Sequence, residues 1–120
     1  MALDSLRATH REILVEVARI RVGSAELTGL SSLVLAHLEI EERELVPMLE
    51  PFLPSDSGPL PAVLEDHARI RTLLGAGVAD LDRIEDLLRT HFAKEEELLY
   101  PFAESRLRAG ELDRFEESER

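Results

Sequence analysis

The chain has 120 residues, a formal net charge of −11, 44% apolar residues and no cysteine. That length suits one domain around one hydrophobic core. The apolar fraction excludes a disordered polymer, and the missing cysteine excludes disulfides and thiolate metal ligands. The acidic balance argues against nucleic acid or an anionic membrane surface as a partner.

Leu, Ala, Glu and Arg dominate, which favours helices, and apolar residues recur at helical spacing in four blocks. The first carries Leu3, Leu6, Ile13, Val17 and Ile20 and gives way at Gly23 and Ser24. Its acids and arginines do not suit a signal peptide, and no apolar run approaches the roughly 20 residues of a membrane span, so a cytoplasmic protein is expected. The second block carries Leu30, Leu33, Ile40, Leu45 and Met48, and "EPFLPSDSGPLP" comes after it. Pro59 and Pro61 suit the first turn of the third block, which carries Leu60, Val63, Leu64, Ile70 and Leu74 and weakens at Gly75 and Gly77. The fourth carries Leu81, Ile84, Leu88, Leu98 and Phe102, with Asp80 or Asp82 as its cap. Pro47 and Pro101 lie inside the second and fourth patterns and predict kinks or early helix ends. The tail "RLRAGELDRFEESER" could form a short helix after Gly110. Residues 1–120 read as one domain, with the bundle at about 3–105 and a tail at 106–120. The expected fold is all-α: an up-down-up-down four-helix bundle of two similar helical hairpins.

The hairpins share a motif. "HLEIEERELVP" begins at His37 and "HFAKEEELLYP" at His91, so His37, Glu41 and Pro47 recur at one constant interval as His91, Glu95 and Pro101. His10 and His67 stand singly on the first and third blocks. All four histidines fall on the apolar stripes and should point inward. In an antiparallel hairpin, residues equidistant from the turn share a level. The midpoint of His10 and His37 falls at Gly23–Ser24, and that of His67 and His91 at Ala79, so one layer is expected to hold every histidine. Glu41 and Glu95 come four residues after their histidines and share their helix face.

A single inward histidine is an ordinary hydrogen-bonded core residue. Four in one layer with two carboxylates make a costly core, because an unpaired buried carboxylate is strongly destabilising. A metal turns that liability into binding energy. The predicted ligands are therefore His10, His37, Glu41, His67, His91 and Glu95. Six donors exceed one four-coordinate zinc with an open position and suit two ions sharing carboxylates. Imidazole and carboxylate without sulfur favour iron or manganese, with zinc as an alternative. Glu39, Glu44 and Glu97 read as solvated. Glu42 and Glu96 read either as surface acids or as carboxylates that hold a ligand imidazole. Arg7, Arg11 and Arg71 read as snorkelling surface residues, and Tyr100 as a packing residue before a redox one.

The ordered set of His10, "HLEIE", His67 and "HFAKE", with "ELLYPF" closing the last, resembles the hemerythrin-like, HHE cation-binding domain family, from His10 to the tail. It lacks the E-x-x-H run of ferritin-like di-iron bundles. The resemblance implies a non-haem di-iron centre bridged by carboxylates and an oxo or hydroxo group. His10 and His37 would serve one iron, His67 and His91 the other, and Glu41 and Glu95 would bridge. Oxygen-carrying members have a further histidine four residues from the one on the third helix, where this chain has Val63 and Arg71. They also have an aspartate where this chain has Glu96. The missing imidazole leaves coordination more open, pointing away from simple reversible oxygen carriage. The implied function is binding or sensing of O2 or a related small molecule such as peroxide or NO. A di-iron oxidase or peroxidase, or iron handling and storage, are the alternatives. With 4% aromatic residues and no Gly-rich loop, a small ligand suits the chain better than a large substrate. No output domain is legible, so a sensor would act through a separate output or redox partner protein.

Overall fold

The computed structural model describes residues 3–76 and 80–107. Among these residues all regular structure is helical. The elements are α1 (Asp4–Arg21), α2 (Leu27–Ile40), α3 (Val46–Leu49), α4 (Pro59–Ala76), α5 (Leu81–Lys94) and α6 (Tyr100–Arg106). A π-helical turn, Glu41–Leu45, joins α2 to α3, and a second, Glu95–Leu99, joins α5 to α6. Backbone angles stay helical across both joins. The bundle therefore has four helices in two hairpin-like pairs, α1 with α2–α3 and α4 with α5–α6. No helix among the described residues is long and apolar enough to cross a membrane.

Gly23 ends α1 by turning left-handed, with φ at 78°. Its N–H then reaches the Ile20 carbonyl at 3.0 Å, and the Ser24 N–H reaches the Arg19 carbonyl at 2.9 Å. This paired closure satisfies carbonyls that the helix end leaves open, and glycine adopts its backbone angle at least cost. Pro59 opens α4 as expected. Asp80 occupies the position before α5 but makes no side-chain cap bond. Asp82 instead accepts from Arg21 at 2.6 Å, and Glu85 accepts from the same guanidinium, tying α1 to α5. Gly77 and the candidate tail helix after Gly110 lie outside the described residues.

The helices do not end early at Pro47 or Pro101. Proline lacks an N–H, and its ring collides with the carbonyl four residues before it. Each π turn widens the helix just ahead of the proline: the Val46 N–H bonds back to the Glu41 carbonyl, and the Tyr100 N–H to that of Glu95. The chain absorbs one extra residue and continues.

That residue corrects the expected core. It rotates everything after it by about 100°. Leu98, expected inside, is 69% exposed, while Leu99 and Tyr100 are buried. Met48 and Phe102 are only partly buried, and Leu49 and Ala103 pack inside in their stead. Before the turns, Val34 and Leu38 form the core of α2 where Leu33 and Ile40 were expected. In α4, Leu64 yields to its neighbour Val63 and stays exposed. Adjacent apolar residues leave the facing side ambiguous, since periodicity does not say which of the pair is the more inward.

The core is in two parts. One gathers Leu3 and Leu6 of α1, Leu45, Val46 and Leu49, Leu60 and Val63 of α4, and Leu99, Tyr100, Ala103 and Leu107. The other gathers Ile13 and Val17, Leu30, Val34 and Leu38, Ile70 and Leu74, and Ile84, Leu88 and Phe92. His10, His67, Glu41 and Glu95 fall between the two sets along their helices, and His37 and His91 stand one turn before the glutamates.

The π turn makes a testable distinction between neighbours. Leu99→Ala should cost roughly 2–5 kcal/mol by urea denaturation. Leu98→Ala should stay within about 0.5 kcal/mol. Equal costs, or the reverse order, would mean that α6 keeps an uninterrupted helical register.

Candidate metal centre

His10 comes from α1, His37 from α2, His67 from α4 and His91 from α5. Glu41 and Glu95 are the first residues of the two π turns. Each of the six is at most 1% exposed. The structure brings all six predicted residues together as two overlapping groups: His10, His37, Glu41 and Glu95, and Glu41, His67, His91 and Glu95. Within each group one donor atom per residue lies within 4.8 Å of the others.

Both glutamates belong to both groups. Glu95 Oε1 lies 3.1 Å from His10 Nε2, and its Oε2 lies 3.3 Å from His91 Nε2. Glu41 Oε1 lies 3.5 Å from His37 Nε2 and 3.3 Å from His67 Nε2. His10 and His37 approach nitrogen to nitrogen at 3.0 Å. The rings pair edge-on, with centroids 4.7 Å apart for His10 and His37 and 4.9 Å for His67 and His91.

Four inward atoms, Glu41 Oε1, His67 Nε2, His91 Nε2 and Glu95 Oε2, are buried without a hydrogen bond. Stranding such groups is expensive. Converging nitrogen and oxygen lone pairs are what a first-row divalent cation requires, so these buried clusters could hold a metal ion.

Carboxylates fix three of the imidazoles from behind. Glu96 accepts from His10 Nδ1 and Glu42 from His67 Nδ1, both at 2.6 Å, and Asp66 accepts from His91 Nδ1 at 3.0 Å. A proton held on Nδ1 leaves Nε2 as a lone pair aimed into the layer. Glu42 and Glu96 were candidates for this role, but each serves a histidine of the other hairpin. Asp66, 4% exposed, was missed. Its only signal is the adjacent pair "DH", and an acid beside a histidine in sequence does not face it on a helix.

The arginines do more than snorkel. Arg71 grips Glu42 through both its terminal nitrogens, at 2.7 and 3.0 Å, and Arg7 grips Glu104 at 2.8 Å twice. Arg11 is exposed, as are Glu39 and Glu97, while Glu44 is partly buried. Phe92 stacks on His10, with centroids 3.8 Å apart. Tyr100 packs in the core as expected and also reaches the layer: its hydroxyl donates to Glu41 Oε2 at 2.6 Å and lies 3.0 Å from His10 Nε2.

The two carboxyls cannot both ionise freely at this range. Burial, then the neighbouring Glu41 charge, pushes Glu95 well above the usual carboxylate range. Burial also acts to raise Glu41, but His37, His67 and the hydrogen bond from Glu95 outweigh it and hold Glu41 well below. Burial, then the His37 charge, drives His10 down to about 2, and burial lowers His91. Without a cation the layer thus holds neutral His10 and His91 and a proton shared towards Glu95.

Compared with known proteins, the chain matches no family model, no curated protein and no solved structure.

These shifts set the acid response of the metal-free protein. His10 and His91 are lowered from 6.5 in the fold, so the unfolded chain takes up their protons first. Their stabilisation is full above about pH 6.5 and is lost as pH falls below it, at up to roughly 1.4 kcal/mol per pH unit each. Glu95, raised in the fold, has the opposite sign: its share is present below 4.5 and is lost as pH rises above that value. Two imidazoles outweigh one carboxyl. The urea midpoint of the metal-free protein should therefore fall between pH 7 and pH 5, and a constant or rising midpoint would contradict neutral burial of the two histidines.

Proposed function

We propose that this chain is a hemerythrin-like protein that holds two iron ions at a carboxylate-bridged centre and there binds or senses O2 or a related small molecule such as peroxide or NO. The observation that carries this reading is the pair of overlapping donor groups with Glu41 and Glu95 common to both. The resemblance of the motif set supports it. An up-down-up-down course belongs to the proposal. Its support is the mixing of the beginnings of α1 and α4 with the far ends of the other two helices in one apolar cluster.

Iron would supply redox equivalents and open coordination positions. The chain's own residues do the rest. Glu96, Glu42 and Asp66 hold three imidazoles in the tautomer that can donate inward. Phe92 covers His10, and the two apolar clusters keep bulk water out. Around His67, Val63 packs into the core and Arg71 is committed to Glu42, so α4 adds no second imidazole. That supports an open position and reactivity over reversible carriage.

One observation favours an enzymatic reading beside it. A cleft of about 380 Å³, walled by Val63, Leu99 and Phe102, reaches Asp66 behind His91. Its size suits a small apolar substrate of an oxidase or peroxidase.

Protein produced with iron and purified without chelator should hold about two iron ions per chain by elemental analysis. Glu41→Ala and Glu95→Ala should remove the second ion. Glu42→Ala and Glu96→Ala should weaken metal affinity about 10–100-fold, the cost of freeing an outer imidazole nitrogen. One ion or none in the parent protein would overturn the dinuclear reading. The reduced, loaded protein should oxidise quickly in air and respond to H2O2 or NO in its absorption spectrum. Repeated oxygen binding and release without ferric build-up would restore the carrier, and sustained peroxide turnover with a reductant would make it an enzyme.

A further inference from the structure

Tyr100 is wholly buried, and its hydroxyl oxygen sits among the donors of the His10–His37 half. It lies 2.6 Å from Glu41 Oε2, 3.0 Å from His10 Nε2 and 3.3 Å from Glu95 Oε1. Donors bound about 2.1 Å from one first-row cation, at right angles to each other, stand about 3 Å apart. The histidine and glutamate donors of this half already have that spacing: His10 Nε2 is 3.0 Å from His37 Nε2 and 3.1 Å from Glu95 Oε1. The phenol oxygen stands near that spacing from His10 Nε2 and Glu95 Oε1, and closer to Glu41 Oε2.

The internal repeat shows how Tyr100 arrives there and why only one half has it. Each π turn carries the fifth residue after its glutamate into the core. In the first hairpin that residue is Val46, and in the second it is Tyr100. Each half has two histidines and shares both glutamates, and this oxygen lies against the His10–His37 half.

We propose that Tyr100 is a metal ligand whose phenol oxygen coordinates the cation held by His10 and His37. This rests on the metal-centre reading of the proposed function. The cation takes the place of the phenol proton, which leaves to solvent, and Glu41 Oε2 exchanges its hydrogen bond for a shared cation. The half without tyrosine, at His67 and His91, then keeps the open position for a small exogenous ligand. A phenolate also favours ferric over ferrous iron in its own half, making the centre electronically unequal.

The chain has one tyrosine and no tryptophan, so any tyrosinate signal belongs to Tyr100. The full chain is loaded with ferrous iron, oxidised in air and measured by resonance Raman spectroscopy within its visible absorption. Enhanced phenolate ring vibrations are expected. Tyr100→Phe, which keeps the ring and loses only the oxygen, should lose them with the accompanying visible band while keeping its helical circular dichroism. Ferric protein without phenolate enhancement, or a Tyr100→Phe spectrum identical to the parent's, would overturn the assignment. Should Tyr100→Phe fail to fold, the parent spectrum decides alone. A chain that takes up no iron would overturn the metal-centre reading as well, whereas iron uptake without a tyrosinate signal overturns this one only.

Discussion

Two carboxylates and four imidazoles share one buried layer between two apolar clusters, and the rest of the fold is arranged around that constraint. Removing such groups from water is costly unless each finds a partner. The outer nitrogens of His10, His67 and His91 find theirs in Glu96, Glu42 and Asp66. The inward atoms face one another and the Tyr100 hydroxyl. In the absence of a cation, neutral His10 and His91 and a proton held towards Glu95 are the remaining means of limiting charge. A cation offers the larger relief, and its binding free energy becomes folding free energy.

The π turns link backbone to chemistry. Proline two residues beyond Leu45 and beyond Leu99 makes an ordinary helical turn unfavourable there, and the wide turn that results begins at the glutamates. It turns the succeeding residues by one position. Leu98 goes to solvent, Leu99 takes the core, and Tyr100 comes to lie over Glu95 and Glu41. An interrupted helix is thus the local cause of both the core pattern and the crowding of oxygen atoms in one half of the layer. π turns within α-helices recur at functional sites for this reason.

The six inward donors were legible because each glutamate lies one helical turn after its histidine, ahead of the irregular backbone, where ideal periodicity still applies. The constant interval between hairpins then identified both sets. The residues beyond Glu41 and Glu95 were not legible in the same way. A proline inside an apolar pattern is compatible with a kink, an end or a π turn, and each rotates the next residues differently. Leu98 was misplaced for that cause, and the reach of the buried Tyr100 hydroxyl into the layer was not foreseen. Asp66 was hidden for another: it serves a histidine on a different helix, and single-helix periodicity carries no information on how neighbouring helices are rotated. Glu42 and Glu96 were left open between surface acids and holders of an imidazole, and the crossing of each to the opposite hairpin depends on the same unseen rotation.

The most direct test of a cation-binding layer is where heavy atoms sit. Crystals of iron-loaded protein, measured at the iron absorption edge, locate iron by its anomalous scattering without reference to any assumed ligand. Two peaks are expected in the layer, one between His10 and His37 and the other between His67 and His91, with Glu41 and Glu95 reaching both. A single peak, a peak at the acidic surface, or an iron-free layer in crystals whose elemental content includes iron would contradict it.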